Sequence, residues 1–210
     1  MGKTITAITA QKRDKKRVNI FFDGEFAFGI SRIVAAWLQV GQNLTDEQIS
    51  KLISEDQDEA AYQRAIKLIT YRDRSIAEIR QSLHQKQIPE EIIENVINRL
   101  GENGLLDDKR FANLWIENRN EFRPRSHRML ALELRKKGIS EDIISQVLEN
   151  TTADEELAHK AAQKQIRRYM TLEWQDFRRK LGSFLARRGF SYETVDLTVH
   201  QIWAEYRSEY

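Results

Sequence analysis

Residues 134–148 read LRKKGISEDIISQVL, and the same pattern stands 51 residues earlier, as LHQKQIPEEIIENVI at 83–97, and 51 residues later, as LARRGFSYETVDLTV at 185–199. Apolar side chains occupy matching positions in all three copies. The matching sets are Leu83, Leu134 and Leu185; Ile88, Ile139 and Phe190; Ile93, Ile144 and Val195; and Ile97, Leu148 and Val199. A fixed period of this size predicts tandem structural units, each burying its apolar face against its neighbours.

Each copy has the pattern of a helix end, a tight turn and the start of another helix. The turns contain Gly138 and Gly189, and glycine is the residue that most readily adopts the left-handed conformation after a helix. The first copy has Gln87 at this position, which predicts a less demanding turn there. We therefore predict a mainly α fold, in which tandem three-helix repeats stack into an elongated solenoid.

The chain before the repeats has the alternation of β-strands. Val18, Ile20 and Phe22 follow a period of two, and residues 26–30 resume it with Phe26, Phe28 and Ile30. Asp23-Gly24 supplies a hairpin turn between them. Together with the β-branched segment 4–11, this predicts a small N-terminal antiparallel meander of three strands. The basic turn at 12–17 is interpreted as a solvated hairpin tip in preference to a polyanion contact.

Two short helices are expected after the meander. Ser31 caps one that reaches about Gln39, and Thr45 with Gln48 forms a capping box for the other. Residues 56–58 are expected to break this second helix. The predicted segments are 1–55 for the meander with its two short helices, 56–106 for repeat 1, 107–153 for repeat 2 and 154–210 for repeat 3.

Helix-boundary residues punctuate the repeats. Ser75 and Glu78 form a second capping box, Pro89 suits the start of a helix, and Gly101 suits a helix end. Asp107 or Asp108 is expected to cap the first helix of repeat 2. The alternative, a nuclease-like metal site at these two aspartates, lacks a third carboxylate nearby, so the helix cap is favoured.

The composition excludes several classes of protein. The chain has no cysteine, which excludes disulfides and thiol chemistry and suits a reducing compartment. No glycine-rich phosphate loop is present, and the four histidines show no metal-ligand spacing. The longest early apolar run, 33–38, is too short to span a bilayer. We expect a cytoplasmic protein that is not an enzyme, with no catalytic residue, no metal site and no cofactor.

Basic residues are concentrated although the formal net charge is only +2. Residues 119–137 carry seven basic and two acidic side chains, and residues 178–188 carry five basic and none acidic. Because both runs precede the turn, stacking of the repeats predicts a common basic stripe facing a polyanion or an acidic protein groove; a solvated charged face is the alternative. The candidate contact residues are Arg72, Arg74, Arg123, Arg125, Arg128, Lys136, Lys137, Arg187 and Arg188.

Aromatic residues divide into core and surface candidates. Trp115, Trp174 and Trp203 are favoured as core side chains over base-stacking platforms, since Phe111 and Trp115 are four residues apart on one predicted helix face. Tyr71, next to two arginines at a helix end, is the favoured exposed aromatic side chain.

The order of these motifs resembles the RecX family, regulators of the bacterial recombinase RecA. The resemblance rests on Tyr71-Arg72-Asp73-Arg74-Ser75, on Gly104-Leu105-Leu106-Asp107-Asp108 with Phe111-Ala112, on Glu133-Leu134 followed by Lys137-Gly138-Ile139, and on Arg187-Arg188-Gly189-Phe190. It covers nearly the whole chain, because the hairpin with Glu25-Phe26-Ala27-Phe28 is similar to an N-terminal extension of some members. The resemblance implies a curved, modular protein.

The resemblance also implies a function. Such a protein binds the RecA–single-stranded DNA filament and restrains its ATPase, strand-exchange and coprotease activities, and so acts in DNA recombination, DNA repair and the SOS response. The expected partner is this filament, with weak unspecific DNA binding, no membrane and no small-molecule substrate, and the protein is expected to be a monomer. The alternatives are a stand-alone DNA-binding protein with helix-turn-helix-like repeats and a scaffold for another helical protein.

Overall fold

A computed structural model describes residues 2–208 of the chain. Met1 and residues 209–210, which belong to the first and last predicted segments, lie outside the described residues. The described part is mainly helical, with three three-helix repeats and a small antiparallel sheet, as predicted. It forms two compact units. The N-terminal unit is the chain up to Arg74 together with Ile79–Leu106, and the C-terminal unit is Ser75–Glu78 together with the chain from Asp107 onward.

The N-terminal sheet has one strand more than the sequence predicted. Its strands are β1 (Lys3–Ala10), β2 (Arg17–Phe22), β3 (Glu25–Ser31) and β4 (Asn43–Leu44). They lie in the order β3-β2-β1-β4, and all neighbouring pairs are antiparallel. Strand β4 pairs with the start of β1 and is only two residues long, which is too short to produce an alternating pattern in the sequence.

The two faces of the sheet follow the predicted alternation in β2 and depart from it in β3. Val18, Ile20 and Phe22 are buried, and Asp23 and Gly24 form the hairpin turn with φ angles of 50° and 81°. The β2–β3 register shifts after Ile20, as it does at a β-bulge. Phe26 therefore pairs with Phe21 and is 61% exposed, whereas the sequence placed it on the same face as Ile30, which is buried.

A single helix, α1 (Asp46–Tyr71), begins where the second short helix was predicted and continues into the segment predicted as repeat 1. Thr45 and Gln48 form the predicted capping box, but the break expected at residues 56–58 is wrong. The Asp56 carboxylate accepts hydrogen bonds from Ser31 N (2.6 Å) and from the Arg17 guanidinium (2.7 Å), so its charge is satisfied within the fold without interrupting the helix. The predicted segment boundary at 55/56 falls inside α1. The other predicted short helix is only a 3-10 turn, Val34–Trp37.

Eight further α-helices follow α1 in the described chain, with a 3-10 turn at Ile166–Arg168 between the sixth and the seventh of them. They are α2 (Ile76–His84), α3 (Glu90–Glu102), α4 (Asp108–Phe122), α5 (His127–Lys136), α6 (Glu141–Glu149), α7 (Asp154–Gln163), α8 (Trp174–Arg187) and α9 (Tyr192–Ser208). The aligned residues Leu83, Leu134 and Leu185 are completely buried, which confirms the repeat pattern. Helix α3 continues through Gly101, the predicted end, and Gly104 with φ of 66° follows it.

Repeats 2 and 3 each have their own core. The core of repeat 2 is built on Phe111, Leu130, Leu134 and Ile144, and Trp115 packs against it. The core of repeat 3 is formed by Leu157, Ala161, Phe177, Leu181, Leu185 and Val199, with Trp174 and Trp203 at its border. The three tryptophans thus pack against cores, as the sequence favoured.

Candidate partner-binding surface

The first helix N-terminus of the C-terminal unit is held by the turn of repeat 2. Ser75 caps α2 by accepting Glu78 N, and its hydroxyl donates to the carbonyl oxygen of Lys137 at 2.6 Å. A side chain at Gly138 would place its Cβ only 2.2 Å from the Ala77 Cβ. The turn therefore lies directly against the start of the helix, and a glycine is needed for this approach. We call this contact between the turn of one repeat and a serine-capped helix start a joint.

The same joint is repeated one period later, at the N-terminus of α5. Ser126 caps α5 by accepting Met129 N, and its backbone N–H donates to the carbonyl oxygen of Arg188 at 3.1 Å. A Cβ at Gly189 would lie 2.2 Å from Met129 Cγ and 2.6 Å from Ser126 Oγ. Both glycine-containing turns are thus docked on a serine-capped helix start.

An aspartate completes each joint. Asp107 caps its own helix by accepting Lys109 N and Arg110 N, which confirms the predicted cap. Asp108 instead accepts Ile76 N at 2.8 Å, and in the next joint Asp154 accepts His127 N at 2.8 Å. Burial raises the pKa of Asp108 above its ordinary value, and the negative charge of Asp107 raises it further, although the bond from Ile76 opposes this.

Two of the predicted contact residues are engaged inside these joints. Lys137 Nζ pairs with Glu78 Oε1 at 2.7 Å and lies 5.1 Å from the centre of the Trp115 ring. Arg188 donates to the carbonyl oxygen of Pro124 at 2.9 Å and lies over the Phe184 ring. Both side chains therefore have structural partners.

The carboxylate of Glu133 accepts hydrogen bonds from several side chains of repeat 2. Its side chain is only 15% exposed, and it accepts Trp115 Nε1 at 2.8 Å and Arg119 Nε at 2.7 Å. Arg125, another predicted contact residue, pairs with the other oxygen of the same carboxylate. Charge-assisted hydrogen bonds of this kind are strong, so the carboxylate fixes the positions of the Arg119 and Arg125 side chains.

Arg188 of repeat 3 lies beside the loop that carries Arg123 and Arg125, because its guanidinium donates to the carbonyl oxygen of Pro124. Burial lowers the pKa of Arg188, and the positive charges of Arg125 and Arg123 lower it further. Arginines of repeats 2 and 3 therefore lie near one another at this place, and the contact role predicted for them stays a prediction.

Four of the predicted residues remain exposed and have no ion pair among the described residues. They are Arg123, Arg128, Lys136 and Arg187. Arg187 is adjacent to Arg188, whose carbonyl oxygen bonds to Ser126. These four side chains are the members of the candidate set in the C-terminal unit that the fold does not itself use.

The other two predicted residues lie in the N-terminal unit. Arg72 is exposed at the end of α1 and donates to the carbonyl oxygen of Asp73, while Arg74 is half-buried. Tyr71 is 85% exposed, as the sequence favoured.

The described residues contain no group of three or more histidine, cysteine, aspartate or glutamate residues able to hold a metal ion. Within the same part of the chain, none of the helices combines the length and the apolar character that a bilayer crossing requires.

Four protein-family models match the sheet and the three repeats in order along the chain. The model of the regulatory protein RecX N-terminal domain matches residues 3–45. The models of the first, second and third three-helix domains of RecX match residues 61–100, 107–148 and 153–197. The chain belongs to the RecX family of regulatory proteins.

Individual RecX proteins are similar to the chain along most of its length. Regulatory protein RecX of Bacillus velezensis is 30% identical over 209 residues, covering 98% of this chain and 79% of the relative. Regulatory protein RecX of Lacticaseibacillus paracasei is 31% identical, covering 94% and 84%. A crystal structure of regulatory protein RecX, 30% identical, superposes with a TM-score of 0.73 over 94% of this chain and 98% of that one. RecX from Lactobacillus salivarius gives 0.61 at 26% identity, covering 70% and 97%.

Sequence reasoning missed the joints, although their residues carry a signal. Ser75 and Ser126 are 51 residues apart, the same offset that relates the turns. Applying the offset to polar residues as well as to apolar ones would have paired these serines. Glu133 and Asp56 gave no such signal, because their partners are distant in sequence.

Proposed function

We propose that this protein binds the RecA filament assembled on single-stranded DNA and inhibits its ATPase, strand-exchange and coprotease activities, thereby modulating recombination, DNA repair and the SOS response. The observation that carries the proposal is the match of all four RecX domain models in order along the chain. The protein acts in the cytoplasm as a monomer, without catalysis or cofactor.

The exposed cations divide the candidate set into two roles. Arg123, Arg128, Lys136 and Arg187 contact the filament, since no ion pair within the described residues satisfies them. Arg125, Lys137 and Arg188 support the surface from below through their bonds to Glu133, Glu78 and Pro124. Arg72 and Arg74 contribute contacts from the N-terminal unit. Attraction between exposed charges is screened by salt, so filament binding weakens as the salt concentration rises.

The mechanism is occupancy of a groove of the filament. Helix α8 has 14 residues and is therefore about 21 Å long, so a series of such helices contacts more than one subunit of a protein polymer. A protein that bridges subunits opposes the rearrangements needed for ATP turnover and strand exchange.

The test is the single-stranded-DNA-dependent ATPase rate of RecA, titrated with this protein from substoichiometric to equimolar amounts. We expect a saturable fall in rate. A variant with Arg123, Arg128, Lys136 and Arg187 changed to glutamate should lose this effect. Reversing Arg125, Lys137 or Arg188 would be a poor test, because it would also remove contacts within or between the repeats.

The matched control changes Lys109, Arg167, Arg168 and Lys180 to glutamate, which alters the net charge equally at exposed positions of the same unit. This control should inhibit as the wild type does. Equal loss in both variants would show that only total charge matters. An unchanged ATPase rate together with firm binding to bare duplex DNA would replace the proposal by a stand-alone DNA-binding protein.

A further inference from the structure

The connection between β1 and β2 forms a basic projection in the N-terminal unit. Residues 12–17 read Lys-Arg-Asp-Lys-Lys-Arg, with no apolar side chain. Gln11 N donates to the carbonyl oxygen of Arg17 at 3.0 Å, and Arg17 N donates to that of Asp14 at 3.1 Å. The turn therefore has a defined backbone conformation.

Two residues of the turn, Asp14 and Arg17, have partners inside the unit. The carboxylate of Asp14, the single acidic residue, accepts Lys16 N at 2.9 Å and so caps its own turn. Arg17 points to the body of the unit, where it donates to Gly29 O and pairs with Asp56. Arg17 is thus an anchor for the turn rather than part of its outer surface.

A fifth cation is brought to the turn by the end of β3. Arg32 N donates to the carbonyl oxygen of Lys16 at 2.8 Å, which places Arg32 beside the turn. The resulting group, here called the basic tip, consists of Lys12, Arg13, Lys15, Lys16 and Arg32. All five side chains are exposed, and none has an ion pair with another described residue.

We propose that the basic tip binds the phosphate backbone of nucleic acid without sequence preference. The five exposed cations outnumber the single carboxylate of Asp14 and create a local positive potential. Neutralising phosphates with lysine and arginine releases condensed counterions. Four of the five belong to a turn without apolar side chains, so the tip lacks the buried anchor that dominates most protein–protein interfaces. This favours a polyanion over a folded acidic partner.

This inference goes beyond the proposed function, because it gives the N-terminal sheet a ligand of its own and does not depend on RecA. A phosphate-binding tip would hold the protein near the nucleic acid while the C-terminal unit binds its partner. The sequence of residues 12–17 favoured a solvated hairpin tip over a polyanion contact, and the exposed cations of the basic tip favour the polyanion contact.

The experiment measures binding of the full-length protein to a fluorescent oligo(dT) of about 30 nucleotides at about 50 to 200 mM salt. The test variant changes Lys12, Arg13, Lys15 and Lys16 to glutamine. The matched control changes Lys51, Arg64, Lys67 and Lys86 to glutamine, which removes four exposed cations from the same unit. Thermal melts should show that both variants fold, since all eight side chains are exposed.

We expect the test variant to bind about tenfold more weakly at the lowest salt, and the slope of log Kd against log salt to fall by about 2 to 3, since each phosphate contact to a single strand contributes about 0.7. The control should retain the wild-type slope. Equal slopes for test variant and wild type, equal losses in both variants, or no binding by the wild type at low salt would each overturn the proposal. Retained DNA binding with lost binding to the RecA filament would instead assign the tip to an acidic protein surface.

Discussion

The turn of repeat 1 and the turns of repeats 2 and 3 have the same backbone conformation and different residues. Gln87, Gly138 and Gly189 all have positive φ angles, of 57°, 77° and 91°. Gln87 is exposed, whereas Gly138 and Gly189 lie against Ala77 and Met129. A polar residue is therefore tolerated in this conformation where space is open, and glycine is found where another helix start approaches.

The comparison shows that close packing, more than the backbone angle, separates the three turns. The sequence predicted a less demanding turn at Gln87, and the φ angle shows that the turn itself is equally left-handed. Glycine is required at positions 138 and 189 because another helix start packs against them, and no such contact is present among the described residues at Gln87, which is exposed. Substitutions that add or remove a side chain at residues 87, 138 and 189 separate the contribution of the backbone conformation from that of the close packing.

The largest effect is expected for Gly138→Ala. Its new methyl group would lie 2.2 Å from the Ala77 Cβ, which has no rotatable side chain to move aside, so the turn or the helix must shift. We expect a loss of about 3 to 4 kcal/mol in the free energy of unfolding, from overpacking together with backbone strain. Urea unfolding followed by circular dichroism measures it.

Gly189→Ala provides the internal control for this prediction. The nearest atoms there are Met129 Cγ at 2.2 Å and Ser126 Oγ at 2.6 Å. The flexible methionine side chain can turn away, but the serine hydroxyl that caps α5 is displaced, so we expect a smaller loss of about 2 to 3 kcal/mol. Equal stability of the two variants and the wild type would refute the view that close approach selects glycine.

Removing the aspartate of a joint should have an intermediate effect. Asp154→Ala deletes the acceptor for His127 N, leaving a half-buried helix N-terminus with one fewer partner. We expect a loss of about 1 to 2 kcal/mol, measured by urea unfolding. Glu155→Ala, which changes an exposed carboxylate in the same first turn, is the matched control and should cost much less.

The joint at Asp108 is expected to depend on pH. Its folded-state pKa is raised above the ordinary value of 3.8, so the folded protein holds the proton more tightly than the unfolded chain does. Stability from this group is therefore present at low pH and is lost as the pH rises through the raised pKa. The substitution Asp108→Asn keeps an acceptor oxygen for Ile76 N without a charge to desolvate.

The stability of Asp108→Asn relative to wild type should accordingly increase as the pH is raised from about 4 to 7. Unfolding curves at a series of pH values measure this difference. A difference that is constant, or that decreases with rising pH, would contradict the assigned direction of the pKa shift.

The smallest effect is expected for Gln87→Gly. Glycine relieves the cost of the left-handed conformation but increases the entropy of the unfolded chain, and these contributions oppose each other. We expect a change within about 1 kcal/mol, towards higher stability, in the same unfolding assay. A large loss would show that the Gln87 side chain makes a stabilising contact.

Much of the fold follows from local patterns in the sequence. The 51-residue period places Leu83, Leu134 and Leu185 at the centres of the repeats, and the Asp23-Gly24 turn fixes the hairpin. The errors have a common cause in long-range contacts. Asp56 looks like a helix break until Arg17 and Ser31 are seen beside it.

The candidate surface was less predictable than the fold. Charge runs identify where cations are dense, but the same type of residue serves two purposes there. Lys136 is exposed, whereas its neighbour Lys137 is paired with Glu78. Successive residues of a helix point about 100° apart, so the two lysines face different surroundings. The sequence does not show which of them meets a carboxylate.

Helix α1 has a consequence for the order in which the chain acquires structure during synthesis. Its first half closes the sheet through Leu52 and Asp56, and its second half packs Ala61 and Ala65 in the core of repeat 1, which includes residues 92–100. The sheet leaves the ribosome first, but helix α1, which covers it, is not fully buried until the chain up to roughly residue 100 has emerged and packs against its second half. The first half of the protein is therefore expected to mature as one cooperative block and not strand by strand.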